Sequence, residues 1–161
     1  MSWVAPRATF EEAFGLRPEL YGAWRRFHDL FGQRRLVPPI ILELCRLRVA
    51  QQLGCRGELA RRTREALQEG LTEAKIAALS RFETSPQFDA AERACLRFAS
   101  KWVFDVHEIR DDEAAALVAV LGEPGTVALA EALALFDGFC RFRLMLGIGE
   151  DGADPDGESG V

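Results

Sequence analysis

The chain has 161 residues, 48% of them apolar, and a formal charge of −5. That size suits one domain with enough apolar content to bury a core. Five acids (Glu150, Asp151, Asp154, Asp156 and Glu158) stand at the C-terminal end, which leaves 20 acidic against 20 basic residues elsewhere; a body with no net positive charge excludes nonspecific nucleic-acid binding.

The N-terminal stretch MSWVAPRATFEEAF has no basic start followed by an apolar run, so no signal peptide is expected. Pro18 opens a helix whose apolar face carries Tyr21, Trp24, His28 and Phe31. After Pro38-Pro39, a second helix carries Ile40, Leu44, Leu47, Val49 and Ala50 and ends at Gly54, a residue suited to a left-handed cap. A third helix is predicted from about Cys55 to Gly70. Thr72 caps a short helix, and Asp89 with Glu92 has capping-box spacing before a longer one bearing Cys95, Phe98, Ala99, Trp102 and Val103. Asp111 or Asp112 opens the next. Beyond Glu123-Pro124, a final helix aligns Leu129, Leu133, Phe136, Cys140 and Leu144.

No alternating Val/Ile/Thr-rich run occurs, so the fold class is all-α, a compact helical bundle. One domain is expected over residues 1–148, with 149–161 a disordered acidic tail. No uninterrupted apolar segment approaches ~18 residues, so no membrane span is expected. The final helix is apolar on most sides, which predicts burial by the core or by another subunit, and hence a homo-oligomer. Of the four cysteines, Cys45, Cys95 and Cys140 lie within apolar helical patterns, as small hydrophobes do. This usage fits a reducing, cytoplasmic setting. The two histidines have no partner at metal-ligand spacing, so neither a metal nor a cofactor is expected. His28 reads as a core or subunit-contact residue and His107 as a local cap.

The run from Leu36 to Cys55 (LVPPIILELCRLRVAQQLGC) resembles the carboxymuconolactone decarboxylase and alkylhydroperoxidase D superfamily. So does Glu69 to Ile76 (EGLTEAKI), with a looser match from about Glu19 to Ile148. The resemblance implies an all-helical unit that assembles as a homotrimer or homohexamer. It also implies a site. In the peroxidase branch, a glutamate feeds protons to a C-x-x-C pair that a histidine follows. The glutamate and first cysteine fall on Glu43 and Cys55; the second cysteine and the histidine fall on Glu58 and Arg62. Arg62 cannot serve as a base and Glu58 cannot form a disulfide. Cys55 can still be oxidised, favoured by its place at a helix start and by Arg56.

Three readings follow. The first is a divergent member of the superfamily with the family's hydroperoxide-reducing activity, whose own residues argue against the usual C-x-x-C route. The second is a non-redox enzyme of decarboxylase or lactone type, acting on a carboxylated small molecule through Glu58 and Arg62, with Glu58 or Glu43 as acid or base. The third is a non-catalytic helical oligomer. Locally, Glu58 and Arg62 are spaced for an i,i+4 salt bridge. Glu43, set among apolar residues, is expected to find a partner in Arg46 or Arg48.

Overall fold

A computed structural model describes residues 9–34 and 36–148. The expectations for the acidic tail, for the first eight residues and for the Phe31 side chain lie outside the described residues. The helices are α1 (Phe10–Gly15), α2 (Pro18–Arg34), α3 (Pro39–Leu53), α4 (Arg56–Ala60), α5 (Arg64–Gln68), α6 (Glu73–Ala77), α7 (Ala90–Phe104) and α8 (Asp111–Leu146). Short 3-10 turns occupy Leu79–Arg81 and Val106–Glu108. No strand occurs among the described residues, and the bundle is all-α as the periodicity predicts.

The helix ends follow local chemistry. Thr9 with Glu12 and Asp89 with Glu92 form reciprocal capping boxes, and Thr72 accepts the Lys75 amide. At the end of α3, Gly54 takes the left-handed conformation (φ 71°), and the Cys55 amide returns to the Ala50 carbonyl at 2.9 Å. That reversal sets where Cys55 and α4 begin.

Helix α3 is the axis of the fold, packed chiefly on α7 and α8. Its buried positions run around most of its circumference: Ile41, Leu44, Cys45, Leu47, Val49 and Ala50 are joined by Glu43 and Arg46. One core cluster gathers Cys45, Val49, Cys55, Cys95, Leu129, Leu133 and Cys140 between α3, α7 and α8. A second, on the other flank of α3, holds Leu44, Leu47, Leu79, Phe88 and Leu96. The third is aromatic: Phe10 of α1 inserts among Phe14, Trp24, Phe139 and Phe142, with edge-on ring contacts.

Two expectations need correction. The single helix from Cys55 to Gly70 is instead α4 and α5, separated by an extended Arg61 (φ −89°, ψ 152°). The final stripe ends differently, because Leu144 is exposed and Arg143, at 1% exposure, turns inward. The helices expected from Asp111 and beyond Glu123-Pro124 both form, and α8 spans them with a break at Gly122 (φ 69°, ψ 168°) between the two. Pro124 then falls in the first turn of the resumed helix, where its missing amide costs nothing. By length and composition α8 is apolar enough to cross a bilayer, although no uninterrupted apolar segment was expected. Its buried residues, among them Leu129, Leu133, Cys140 and Arg143, lie against the rest of the bundle.

Candidate functional site

The site begins with an arginine inside the core. Arg46 lies mid-way along α3 at 8% exposure, a position that is costly for a cation without paired acceptors. Glu43, one turn earlier and 2% exposed, supplies a two-pronged pair: Nε to Oε2 and Nη2 to Oε1, both 2.8 Å. Arg46 also donates Nη1 to the Glu58 carboxylate at 2.6 Å and to the Glu58 carbonyl at 2.8 Å. Its Nη2 reaches the Arg61 carbonyl at 3.0 Å. The Thr63 amide donates to Glu43 Oε1 at 3.2 Å.

These bonds account for the break between α4 and α5. The carbonyls of Glu58 and Arg61 accept from Arg46 and the amide of Thr63 donates to Glu43, while the Glu58 carbonyl also closes a tight turn with the Arg61 amide at 3.4 Å. Arg62 adds to this, since its Nη1 reaches the Leu59 and Arg61 carbonyls at 2.5 and 2.7 Å.

The expected Glu58–Arg62 bridge does not form, because the extended Arg61 removes the helical spacing that it needs. Arg62 turns to Glu73 instead, at 3.0 Å. Glu58 takes three other arginines: Arg46 at 2.6 Å, Arg143 at 2.8 Å and Arg61 at 3.8 Å. Burial by itself raises the pKa of Glu58. Arg46, Arg143 and Arg61 outweigh it and hold the carboxyl below its ordinary value. Burial lowers the affinity of Arg46 for its proton, and Glu43 and Glu58 more than restore it. Arg143 also stacks over the Phe10 ring at 4.7 Å, which ties α1 to the cluster.

Beside this cluster lies a cavity of about 520 Å³. Its walls are aromatic, from Phe10, Tyr21, Trp24, Phe136 and Phe139. Its polar lining holds Arg25, Arg46, Arg61, Arg62 and Arg143 against Glu11, Glu12 and Glu58, so cations outnumber anions. His28 projects into the same space from α2, its ring 5.2 Å from that of Trp24. Burial lowers its pKa; nearby Asp29 and Glu58 oppose that, Arg61 adds to it, and the net shift leaves the imidazole below its ordinary value. His28 is therefore held toward its neutral form, in which an imidazole nitrogen can accept a proton.

The four residues singled out in the sequence divide into two pairs. Glu58 and Arg62 line the cavity. Glu43 lies behind it, with both oxygens engaged by Arg46. Cys55 is fully buried in the core cluster, outside the cavity lining. Arg46, Arg143 and His28 were missed as site residues. Arg46 was visible as a potential partner of Glu43, and His28 shares a helix face with Trp24. Arg143, in a run of apolar residues, gave the signal of a charge out of place.

The chain and its fold have known counterparts. The model of the family described as "CMD: Carboxymuconolactone decarboxylase family" matches residues 18–101, more than half of the chain. A crystal structure of a protein of unknown function from Agrobacterium tumefaciens, described as a candidate antioxidant defence protein AhpD, superposes with a TM-score of 0.73. The match covers 89% of this chain and 96% of that one at 21% identity, and so shows the fold. A search of curated proteins gives no match. The chain therefore belongs to the carboxymuconolactone decarboxylase family, with an AhpD-like fold.

Proposed function

We propose that the chain is an enzyme that performs acid–base chemistry on a largely apolar small molecule carrying a carboxylate. One observation carries this reading: a single cavity joins aromatic walls, an excess of arginine and an imidazole held toward its neutral form. An apolar cavity with a few convergent polar groups is the usual form of a small-molecule site. In this reading His28 is the general base. Arg61 and Arg62 at the lining meet the substrate carboxylate, where guanidinium geometry favours paired contacts. Glu58 is an organiser rather than an acid, since it is held ionised between Arg46 and Arg143. The antioxidant description of the Agrobacterium protein stays with that protein. Here the position three residues after Cys55 is Glu58, and Cys55 does not line the cavity.

The test is titration of the protein with aromatic and alicyclic carboxylates, followed by quenching of Trp24 on the cavity wall. Binding is expected for the acids and not for their methyl esters, and to weaken at least tenfold in Arg61→Ala. Turnover of a bound acid should be lost in His28→Ala with binding retained. Equal binding of acids and esters refutes the reading.

The homo-oligomer is also proposed, with the exposed Phe27, Leu30 and Leu36 as its contact surface; these line a shallow groove with Val37 and Leu42. Light scattering that returns a monomer mass overturns it.

A further inference from the structure

Two thiols that are far apart in sequence meet in the core. Cys55 follows the reversal at Gly54, pinned by its amide bond to Ala50, and Cys140 comes from α8. Both belong to the same cluster and are 0% and 1% exposed. The Cys140 side chain hydrogen-bonds with that of Cys55, and the charges of Glu58 and Arg46 act on it. The pair thus sits directly behind the cavity: Phe136, one helical turn before Cys140, packs on the thiol cluster and lines the cavity as well. Glu58, one turn after Cys55, likewise reaches the lining.

We infer that Cys55 and Cys140 form a redox-sensitive dithiol, closed to an intramolecular disulfide by a small hydroperoxide that enters through this cavity. The inference is independent of the acid–base reading. With hydrogen peroxide, the Cys55 sulfur attacks one oxygen and the O–O bond breaks. The leaving hydroxide takes the Cys55 proton as water, and Cys55 is left as a sulfenic acid. The Cys140 sulfur then attacks the Cys55 sulfur and the S–O bond breaks. The second hydroxide leaves with the Cys140 proton as water. The two thiols lose two electrons in all, and the peroxide gains them. The order follows from Cys140, whose thiol is held protonated by the hydrogen bond it donates to the Cys55 sulfur and by burial, which makes it the resolving partner. The closed bond would join the start of α4 to α8 across the site and fix the wall that carries Glu58.

The competing pair is built in. Cys45 and Cys95 are also buried neighbours, and burial followed by the nearby Cys95 raises the Cys45 thiol well above its ordinary value. Native full-length protein is treated with hydrogen peroxide, alkylated, and mapped by peptide mass spectrometry. A Cys55–Cys140 cross-link that dithiothreitol reverses is the expected product. It should persist in Cys45→Ala/Cys95→Ala and vanish in Cys55→Ala and in Cys140→Ala, with circular dichroism confirming that each variant is folded. The oxidised parent should also melt at a higher temperature than the reduced one. A Cys45–Cys95 cross-link, stable over-oxidation of Cys55 without a cross-link, or thiols that react only after unfolding would each overturn the inference. If a single variant fails to fold, the mapped cross-link in the parent and in Cys45→Ala/Cys95→Ala still decides the matter.

Discussion

Replacing Glu58 by glutamine removes one negative charge and leaves shape and volume nearly unchanged, so the effect isolates the ion cluster. Glu58 accepts close contacts from Arg46 at 2.6 Å and Arg143 at 2.8 Å, with its side chain 14% exposed. Hydrogen bonds to charged groups contribute about 1.5–3 kcal/mol each. Breaking a buried pair by removing one partner costs about 3–5 kcal/mol, because the remaining charge is left uncompensated. Glutamine keeps one acceptor oxygen, so a loss near the lower end, about 3 kcal/mol, is expected for Glu58→Gln. For a chain of this length that lowers Tm by roughly 6–12 °C. The matched control is Glu73→Gln. This also deprives an arginine of its partner, but at a carboxylate that is 75% exposed, and it should leave Tm close to that of the parent. Differential scanning calorimetry at neutral pH measures both. If Glu58→Gln melts no lower than Glu73→Gln, the buried cluster does not organise the site as argued.

Other outcomes follow from the same geometry. Arg46→Met keeps an unbranched apolar stem but strips both buried carboxylates of a partner. It should destabilise more than Glu58→Gln, and hydrogen exchange should lose protection first between residues 58 and 63. Acid should weaken the fold by two routes of the same sign. His28, with its pKa held below the ordinary 6.5, takes up a proton more readily in the unfolded chain, so stability falls as pH drops below that value. Glu58, with its pKa lowered, stabilises fully above its ordinary value and loses that contribution as pH falls through the folded one. Melting curves of His28→Gln should flatten the first of these declines and keep the second. Among the glycines, Gly54→Ala should cost about 1–2 kcal/mol from left-handed backbone strain, since its added Cβ meets nothing within 4 Å. Gly125→Ala meets the Leu36 carbonyl at 2.8 Å and Leu121 Cβ at 2.9 Å, and should cost more by urea denaturation, because backbone must move.

The sequence made the helices legible because their caps are local. Gly54, Thr72 and the Asp89–Glu92 pair each act within a few residues, and each marks an observed boundary. The break between α4 and α5 was not legible. It depends on Arg46, more than ten residues upstream, which draws the Glu58 and Arg61 carbonyls out of helical register. The site was half legible for the same reason. Glu58 could be picked out by its place after Cys55, but its partners come from α3 and from the far end of α8. Sequence spacing favoured Arg62, and the distant arginines won because they offered a buried carboxylate closer contacts. The pairing of Cys55 with Cys140 was invisible in the same way, as it depends on how α8 lies against the end of α3.

The three-arginine grip on Glu58 also bears on how this chain could change over evolutionary time. On paper a single residue replacement, Glu58→Cys, gives a C-x-x-C arrangement with Cys55. In the fold, that replacement would remove the carboxylate that Arg46 and Arg143 both contact, while Glu43 already accepts both prongs of Arg46. The intermediate would be unstable unless α3 and α8 changed as well. The position is therefore held by three helices at once, and a paired-thiol motif there would require coordinated substitutions at positions that lie almost a hundred residues apart.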